Sequence, residues 1–291
     1  MKQALGFIGL GVMGFPMAGH LSNKGYKVSV FNRSIKKSVE WSNKYVGNVC
    51  KTPSDIAKES KVIILCVTKD DDVRNIIFGE SGIHENLNEE TIIIDHTTTS
   101  ADLPKEINDS LKLKNCKFLD APLSGGQIGA EKGQLTVMVG GEEQSYKKVQ
   151  DIIECYSKFI KYMGPSGSGQ LTKMVNQICI GGLIQSLAEG MNFSDKVGLN
   201  INDVISVISK GAAQSWQMEN RWKTMSEDKY DHGFAVDLMR KDLNIVLEKA
   251  KNSNINLDLT KLINEYYKDI QNAGGGGWDT SSLYKRIKDI I

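Results

Sequence analysis

The chain has 291 residues, 40% of them hydrophobic, which is enough for two domains or one large domain with a filled core. Its 36 basic and 35 acidic side chains nearly cancel and the basic ones form no block, so we expect no nucleic-acid or membrane partner. The five cysteines show no C-x-x-C pairing. This argues against a disulfide framework or a metal site and favours a reduced, cytoplasmic protein.

The first half of the chain alternates short apolar runs with polar segments long enough for helices. Continuous rather than alternating hydrophobicity is typical of strands that are buried on both faces of a parallel sheet. We therefore predict an α/β fold with a Rossmann-type, doubly wound, mostly parallel sheet. The predicted strands are Leu5–Leu10, Lys27–Phe31, Val62–Val67, Thr91–Asp95, Lys117–Asp120, Leu135–Val139 and Phe159–Met163.

A G-x-G-x-x-G motif follows the first predicted strand and opens a helix. In a dinucleotide-binding turn, Gly9 permits the tight turn, Gly11 lets a pyrophosphate approach the backbone, and Gly14 lets the helix pack closely on the strand. The alternative is a purely structural glycine-rich turn, which the strand–helix–strand context disfavours. We assign the whole turn to cofactor binding: Gly9, Leu10, Gly11, Val12, Met13 and Gly14.

The second predicted strand ends at Asn32-Arg33-Ser34, where an NAD site usually has an acidic residue for the ribose 2′-hydroxyl. Without that carboxylate, a 2′-phosphate meets no repulsion, and Arg33 can form charge-assisted hydrogen bonds to it. These three residues therefore predict a preference for NADP(H), with NAD(H) as a possible second cofactor. The alternative is a solvated arginine and a relaxed choice of cofactor.

A loop rich in glycine follows the predicted strand that ends at Asp120. Its residues Ser124, Gly125 and Gly126 lie at the carboxyl edge of the sheet, where α/β proteins bind ligands. A serine hydroxyl and glycine amides could hold an anion there. An ordinary Pro/Gly turn is the alternative.

After Gly164 the pattern becomes helical. A long helix is predicted at 165–195, apolar around much of its circumference and therefore buried between domains or subunits. Further helices are predicted at Asn202–Ser209, around Trp216, at Asp237–Asn252 and at Asp258–Asn272. We place the domains at 1–164, a nucleotide-binding domain, and 165–291, an all-α domain that begins with the long interdomain helix.

The long helix carries polar side chains on one face, because Lys173, Asn176 and Gln177 are spaced by three and four residues. Lys173 is flanked by apolar neighbours, and burial lowers the pKa of an amine toward the range useful for acid–base catalysis. A lysine that snorkels from an apolar helix or pairs with a carboxylate is the alternative.

Together, these motifs resemble the β-hydroxyacid dehydrogenase family, which includes 3-hydroxyisobutyrate dehydrogenases, tartronate semialdehyde reductases and glyoxylate/succinic semialdehyde reductases. The resemblance covers nearly the whole chain. It rests on ordered motifs that begin at Phe7, Asp120, Gly167, Lys241 and Trp278. It implies a cofactor domain joined by a long helix to an all-α domain that also dimerises, so we expect a homodimer or homotetramer.

The resemblance also implies roles for single residues. Lys173 would be the general acid/base and Asn176 would orient a small carboxylate substrate. The cofactor would be bound in addition by Val67, Thr98 and Lys241, and the substrate by Ser124, Gly125, Gly126, Phe234 and Asp242. Without the family, Phe234 is an ordinary core residue and Lys241–Asp242 an ordinary helix pair.

The chain departs from the family pattern at two places. Asp95-His96-Thr97-Thr98 replaces the usual Asp-Met-Ser-Thr, and Leu123 replaces a common valine. Neither change removes a functional group. His96 could lie near the cofactor, although a surface or hydrogen-bonded structural histidine is the interpretation we favour.

The function predicted from the sequence is hydride transfer between NADP(H) and a small β-hydroxyacid or acid semialdehyde. The alternatives are a 3-hydroxyisobutyrate dehydrogenase that uses NAD, a decarboxylating enzyme like 6-phosphogluconate dehydrogenase, and a non-catalytic NADP-binding protein. The length argues against the decarboxylating enzyme, whose C-terminal domain is usually much longer. The sequence does not select one hydroxyacid.

Overall fold

A computed structural model of the chain describes residues 2–290 and divides it into two compact units. The first unit ends at Lys173 and the second begins at Met174. The division falls inside one long helix, because the helix starts in the first unit and continues through the second. The domain boundary that the sequence pattern favours, after residue 164, stays a prediction.

The first unit is built on a mostly parallel sheet, as predicted. Within residues 2–290 the sheet has nine strands in the order β3-β2-β1-β4-β5-β6-β8-β7, and β9 pairs with β8. The strands are β1 (Ala4–Ile8), β2 (Lys27–Phe31), β3 (Asn48–Val49), β4 (Val62–Leu65), β5 (Ile92–Asp95), β6 (Lys117–Asp120), β7 (Leu123–Ser124), β8 (Leu135–Gly140) and β9 (Ser157–Gly164). The order 3-2-1-4-5-6 is that of a dinucleotide-binding sheet.

Side chains of the central strands alternate between two apolar cores. Ile64 lies in one core, and its neighbours Ile63 and Leu65 lie in the other. Successive strand residues point to opposite faces, so a strand packed on both faces needs a continuous apolar run. This is why the hydrophobic runs located these strands.

Helices cover the sheet. They are α1 (Gly14–Asn23), α2 (Ile35–Lys44), α3 (Pro53–Glu59), α4 (Asp70–Phe78), α5 (Leu103–Leu111), α6 (Gly126–Glu131) and α7 (Glu143–Ile153). Single 3₁₀ turns lie at His84–Asn86, Lys112–Lys114 and Glu154–Tyr156. Helix α3 begins with a capping box between Thr52 and Asp55, which satisfies two backbone N–H groups at its start.

The two-residue strands β3 and β7 were not predicted, and two of the predicted strands run past the observed carboxyl ends. Strand β1 ends at Ile8 rather than Leu10, since Gly9 has a φ of +100° and turns the chain. Strand β4 ends at Leu65 rather than Val67. One edge of this mostly parallel sheet is antiparallel, since β8 runs antiparallel to β6 and β7.

The second unit is helical. Helix α8 (Ser168–Lys196) enters it and is followed by α9 (Ile201–Ile208), α10 (Trp216–Ser226), α11 (Val236–Asn252), α12 (Asp258–Asn272), a 3₁₀ turn at Thr280–Ser282, α13 (Leu283–Lys285) and a π turn at Arg286–Ile290. Ile184 and Met191 of α8 join Met239, Tyr267 and Leu283 in one buried core.

Helix α8 has one buried and one exposed apolar side in the single chain, so its burial between domains or subunits stays a prediction. Ile184, Ala188 and Met191 are buried, whereas Val175, Leu183 and Phe193 are 60%, 45% and 66% exposed. The exposed side chains recur at helical spacing and so form an apolar stripe.

None of the helices within residues 2–290 combines the length and the apolar character that a membrane span requires. Among residues 2–290, no group of three or more His, Cys, Asp or Glu side chains could hold a metal ion.

Candidate functional site

The glycine-rich turn after β1 is shaped by close backbone approaches. A Cβ added at Gly9 would collide with the carbonyl oxygen of Cys66, and one added at Gly14 would collide with the carbonyl oxygen of Gly9. At Gly11, by contrast, an added Cβ meets no atom within 4 Å. The two outer glycines are therefore required by the fold, and the middle one leaves open space over the backbone. This arrangement fits a dinucleotide pyrophosphate.

The end of β2 is tied to this turn by a side chain. The Oδ1 of Asn32 accepts a hydrogen bond of 2.9 Å from the backbone N–H of Leu10, and its Nδ2 donates to the carbonyl of Ser34 at 3.1 Å. Asn32 thus has a structural role that the sequence analysis did not foresee. The side chain of Arg33 is 95% exposed and lies 3.9 Å from Asp72.

Two further residues predicted to bind the cofactor, Val67 and Thr98, follow the ends of β4 and β5. Val67 is half-buried, and its backbone N–H donates to the Oγ1 of Thr97 at 3.1 Å. Thr98 is half-buried between the buried Thr97 and Thr99. Both predicted residues therefore lie at the carboxyl edge of the sheet, where such sheets bind nucleotides, and Val67 lies beside Gly9.

Buried polar groups lie behind this edge. The Nδ1 of His96 is 2.6 Å from the carbonyl oxygen of Ala121, and its Nε2 is 2.9 Å from the hydroxyl of Tyr156. Burial lowers the pKa of His96 to about 4, so the ring is neutral at neutral pH. His96 is therefore a hydrogen-bonded structural histidine.

Two buried carboxyl groups lie on neighbouring strands. Asp95 and Asp120 pair in register at the ends of β5 and β6, and both are fully buried. Burial raises the pKa of Asp95 to about 7 and that of Asp120 to about 6. The backbone N–H of Thr97 donates to Asp95 at 2.9 Å, while Asp120 accepts two N–H groups from the start of the α8 segment.

This burial predicts a pH-dependent gain in stability for Asp95→Asn. Between about pH 4 and pH 7 the unfolded chain has lost the Asp95 proton while the folded chain retains it, so raising the pH favours unfolding. Asparagine carries no charge and keeps the acceptor for Thr97. A tenfold change in proton affinity corresponds to about 1.4 kcal/mol. We therefore expect the free energy of unfolding of Asp95→Asn to rise, relative to wild type, by on the order of 2–4 kcal/mol across this pH range.

Urea unfolding of wild type and Asp95→Asn from pH 5 to pH 8 measures this gain. The control is Asp55→Asn, because hydrogen bonding from Thr52 holds the pKa of the Asp55 carboxyl below its ordinary value. Its effect on unfolding should therefore not change above pH 5. A pH-independent difference for Asp95→Asn would contradict the prediction.

The Ser124-Gly125-Gly126 loop has a backbone that only glycine adopts easily. Gly125 and Gly126 have φ values of +125° and +59°. Ser124 is half-buried in β7, opposite Thr136 of β8, and the two glycines are exposed. The loop therefore presents backbone and one hydroxyl at its surface, with no bulky side chain on the glycines.

Lys173 is directed at this loop. The lysine is only 8% exposed, and its Nζ donates a hydrogen bond of 2.7 Å to the carbonyl oxygen of Leu123. Leu123 immediately precedes Ser124. The structure thus brings together the predicted catalytic lysine and the predicted anion-binding loop, which are about fifty residues apart in the chain.

In the second unit, a chain of polar side chains fixes Asn176. Its Nδ2 donates to the Oε1 of Gln177 at 2.7 Å, and the Nε2 of Gln177 donates to Asp242 at 2.7 Å. The Nζ of Lys241 lies 2.9 Å from the other carboxylate oxygen of Asp242. Four residues predicted to share a function or a helix face therefore form one hydrogen-bonded series.

Phe234 is held by its backbone. Its N–H donates to the buried carboxylate of Asp279 at 2.9 Å, and its carbonyl accepts from Thr280. Asp279 also lies 3.3 Å from the guanidinium of Arg221, which stacks on Trp216. Trp216 is 49% exposed, so it is not a core residue.

Sequence reasoning missed four residues that organise these groups. Asp120, Gln170, Gln177 and Asp279 are buried and hydrogen-bonded, and none was assigned a role. The available signal was a polar side chain inside an apolar segment. That signal indicates a buried polar group but not its partners, which come from distant parts of the chain.

Two family models match the chain. One, described as the NAD binding domain of 6-phosphogluconate dehydrogenase, matches residues 4–164. The other, described as the NAD-binding of NADP-dependent 3-hydroxyisobutyrate dehydrogenase, matches residues 167–287.

Individual relatives extend over the whole length. An uncharacterized oxidoreductase of Shewanella frigidimarina is 50% identical over 282 residues, which is 97% of either chain. The probable 3-hydroxyisobutyrate dehydrogenase-like 1, mitochondrial, of Arabidopsis thaliana is 34% identical and aligns with 98% of this chain and 85% of its own. In fold, the chain is similar to 3-hydroxyisobutyrate dehydrogenase of Mycobacterium tuberculosis with L-serine, at a TM-score of 0.90 and 24% identity over 99% of this chain and 100% of that one.

The first family model spans the glycine-rich turn and the sheet, and the second spans most of the helical unit. The chain belongs to the 3-hydroxyisobutyrate dehydrogenase family and is an NAD(P)-dependent oxidoreductase that acts on hydroxyacids.

Proposed function

We propose that the protein interconverts a small acid semialdehyde and the corresponding hydroxyacid, prefers NADP(H), and uses Lys173 as its general acid/base. The observation that carries the proposal is the buried Nζ of Lys173, which is 2.7 Å from the carbonyl of Leu123. This contact puts a proton donor beside the loop that we assign to the substrate carboxylate.

In this proposal the Ser124 loop sets the geometry. Ser124, Gly125 and Gly126 bind the carboxylate, which fixes the adjacent carbonyl group relative to Lys173. The amine of Lys173 is held by Leu123, so it has little rotamer freedom to lose when substrate arrives. Within the second unit, the hydrogen-bonded series from Asp242 through Gln177 keeps the Asn176 amide in one orientation.

The proton follows the direction of the reaction. When bound, the nicotinamide supplies or accepts the hydride. In reduction, Lys173 in its ammonium form gives a proton to the carbonyl oxygen of the aldehyde. In oxidation, the neutral amine removes the proton of the hydroxyl group.

We further propose that Arg33 selects the phosphorylated cofactor. Its guanidinium is exposed to solvent and forms an ion pair with the Asp72 carboxylate at 3.9 Å. Arginine can bind phosphate through two parallel hydrogen bonds. Asn32 supports the same choice, because its neutral side chain occupies the place of the usual acidic residue.

We also propose that the chain forms a dimer or tetramer through the exposed apolar stripe of α8, which consists of Val175, Leu183 and Phe193. These side chains are 60%, 45% and 66% exposed in the single chain. Exposed apolar side chains along one side of a helix commonly mark a contact between proteins. Light scattering should then give the mass of two or four chains, and a monomer mass would contradict this assignment.

The function is tested with purified protein and a panel of substrates. We expect NADPH oxidation with at least one of glyoxylate, succinic semialdehyde, tartronate semialdehyde and methylmalonate semialdehyde, and a lower kcat/KM with NADH. A flat response across the panel, together with tight NADPH binding, would indicate a non-catalytic cofactor-binding protein. Release of CO₂ from a hydroxyacid would indicate the decarboxylating alternative.

A further inference from the structure

Gln170 is a buried amide in the first turn of α8. It is fully buried, and the proposed function gives it no role. Its Nε2 donates to the carbonyl oxygen of Thr97 at 2.7 Å, and its Oε1 accepts from the N–H of Thr99 at 3.0 Å. Because one partner is a carbonyl and the other an N–H, the orientation of the amide is determined. The two partners flank Thr98, which the family resemblance assigns to cofactor binding.

The same turn is fixed to a second strand. The carboxylate of Asp120, at the end of β6, accepts from the backbone N–H of Gly167 at 2.8 Å and from that of Gln170 at 3.0 Å. A Cβ added at Gly140 would lie 2.6 Å from the Asp120 carboxylate, and one at Gly169 would lie 2.6 Å from the Asp120 carbonyl oxygen. The start of the helix is therefore packed directly on the sheet and cannot slide along it.

Lys173 follows Gln170 by three residues, so it lies less than one turn further along the same rigid helix. Its Nζ bonds to Leu123, as described above. The side chain of Gln170 thus contacts the segment assigned to the cofactor, and its backbone belongs to the turn that carries the lysine. All of these contacts lie within the first unit.

We propose that Gln170 is a positioning residue that fixes the Thr98 segment relative to Lys173, so that hydride and proton transfer occur in one geometry. This inference rests on the proposed function, because it requires Lys173 to be the acid/base. A misplacement of reacting groups by about 1 Å can cost about a hundredfold in rate. An amide suits this task, since it satisfies a buried carbonyl and a buried N–H at the same time.

A purely structural role for Gln170 predicts something different. In that case its loss lowers stability and the amount of folded protein, but the folded fraction turns over as before. If Gln170 acts by positioning, the folded enzyme itself is slower, and the slowing depends on the presence of Lys173. A double-mutant cycle separates these two outcomes.

The first variant is Gln170→Met, which keeps the approximate volume and removes both hydrogen bonds. We expect kcat to fall by about 10- to 100-fold, with the NADPH dissociation constant changed less than about threefold. We also expect a larger isotope effect with NADPH deuterated at the transferred position, because hydride transfer becomes more rate-limiting. Gln170→Glu keeps an acceptor for Thr99 but loses the donor to Thr97, and we expect an intermediate loss.

The cycle is completed with Lys173→Met and the double variant in single-turnover experiments. We expect the loss caused by Gln170→Met to shrink at least tenfold when Lys173 is already absent. The matched control is Gln150→Met on α7, where the amide donates to Glu154 at the surface, and it should leave every parameter unchanged. The melting temperature of each variant shows whether it is folded under the assay conditions. If Gln170→Met does not fold, Gln170→Glu replaces it in the cycle.

Two results would overturn the inference alone. One is a Gln170 variant that folds and retains kcat within about threefold of wild type. The other is a loss of equal size in the presence and absence of Lys173, since independent effects add. Near-normal turnover of Lys173→Met by itself overturns the proposed acid–base role, and this inference with it.

Discussion

Lys173→Met should lose about 10²- to 10⁴-fold in kcat, the range that a positioned general acid or base contributes. Methionine fills the buried space of the lysine but cannot transfer a proton, and it leaves the carbonyl of Leu123 without its 2.7 Å donor. The loss should fall on kcat rather than on cofactor binding. The measurement is steady-state kinetics with the semialdehyde that wild type turns over fastest, combined with NADPH binding by fluorescence.

The matched control is Lys196→Met, which alters an exposed lysine in the last turn of the same helix. It should keep wild-type kinetics, because it lies more than six turns further along the helix than Lys173. Turnover within tenfold of wild type in a folded Lys173→Met protein would refute the assignment.

The second large effect concerns cofactor choice. Arg33→Ala should lower kcat/KM for NADPH by about 10- to 100-fold, which corresponds to the loss of one or two charge-assisted hydrogen bonds to phosphate. The value for NADH should stay unchanged, because NADH has no 2′-phosphate. The double variant Asn32→Asp/Arg33→Ala should prefer NADH over NADPH, because the new carboxylate repels the 2′-phosphate and accepts a hydrogen bond from the ribose 2′-hydroxyl.

Asn32→Asp is compatible with the fold because a carboxylate oxygen can still accept from the N–H of Leu10, as Asn32 does at 2.9 Å. The control for charge alone is Lys58→Ala, an exposed lysine of α3 that pairs with Asp55 within its own helix. It should leave both cofactors unaffected. Equal kcat/KM for NADPH and NADH in the wild type would remove the basis of the prediction.

Most of the elements were predicted from the sequence because their signals are local. Strands buried on both faces need unbroken apolar runs, and β2 and β6 have the bounds predicted for them. Helix α12 also agrees, because its apolar spacing has a helical period. The two-residue strands β3 and β7 were missed, since two residues carry no periodicity and owe their pairing to neighbours across the sheet.

The motifs likewise located the residues of the candidate site but not their contacts. The spacing Gly9, Gly11, Gly14 and the polar face of α8 are readable along the chain, because one turn or one helix creates them. The partners of Lys173, His96 and Gln170 are Leu123, Tyr156 and Thr97, all of them distant in sequence. These pairings arise only when strand ends meet at one edge of the sheet.

The sequence by itself determined the fold class, the dinucleotide-binding turn and the family, since local periodicity and motif spacing encode all three. Only the tertiary structure decided that His96 is a neutral structural residue, that Asn32 braces the glycine-rich turn, and that Gln170 connects the Thr98 segment with the helix of Lys173. The physical reason is that a buried polar group must find its hydrogen-bond partner in space. Which residue provides that partner depends on the packing of the whole sheet.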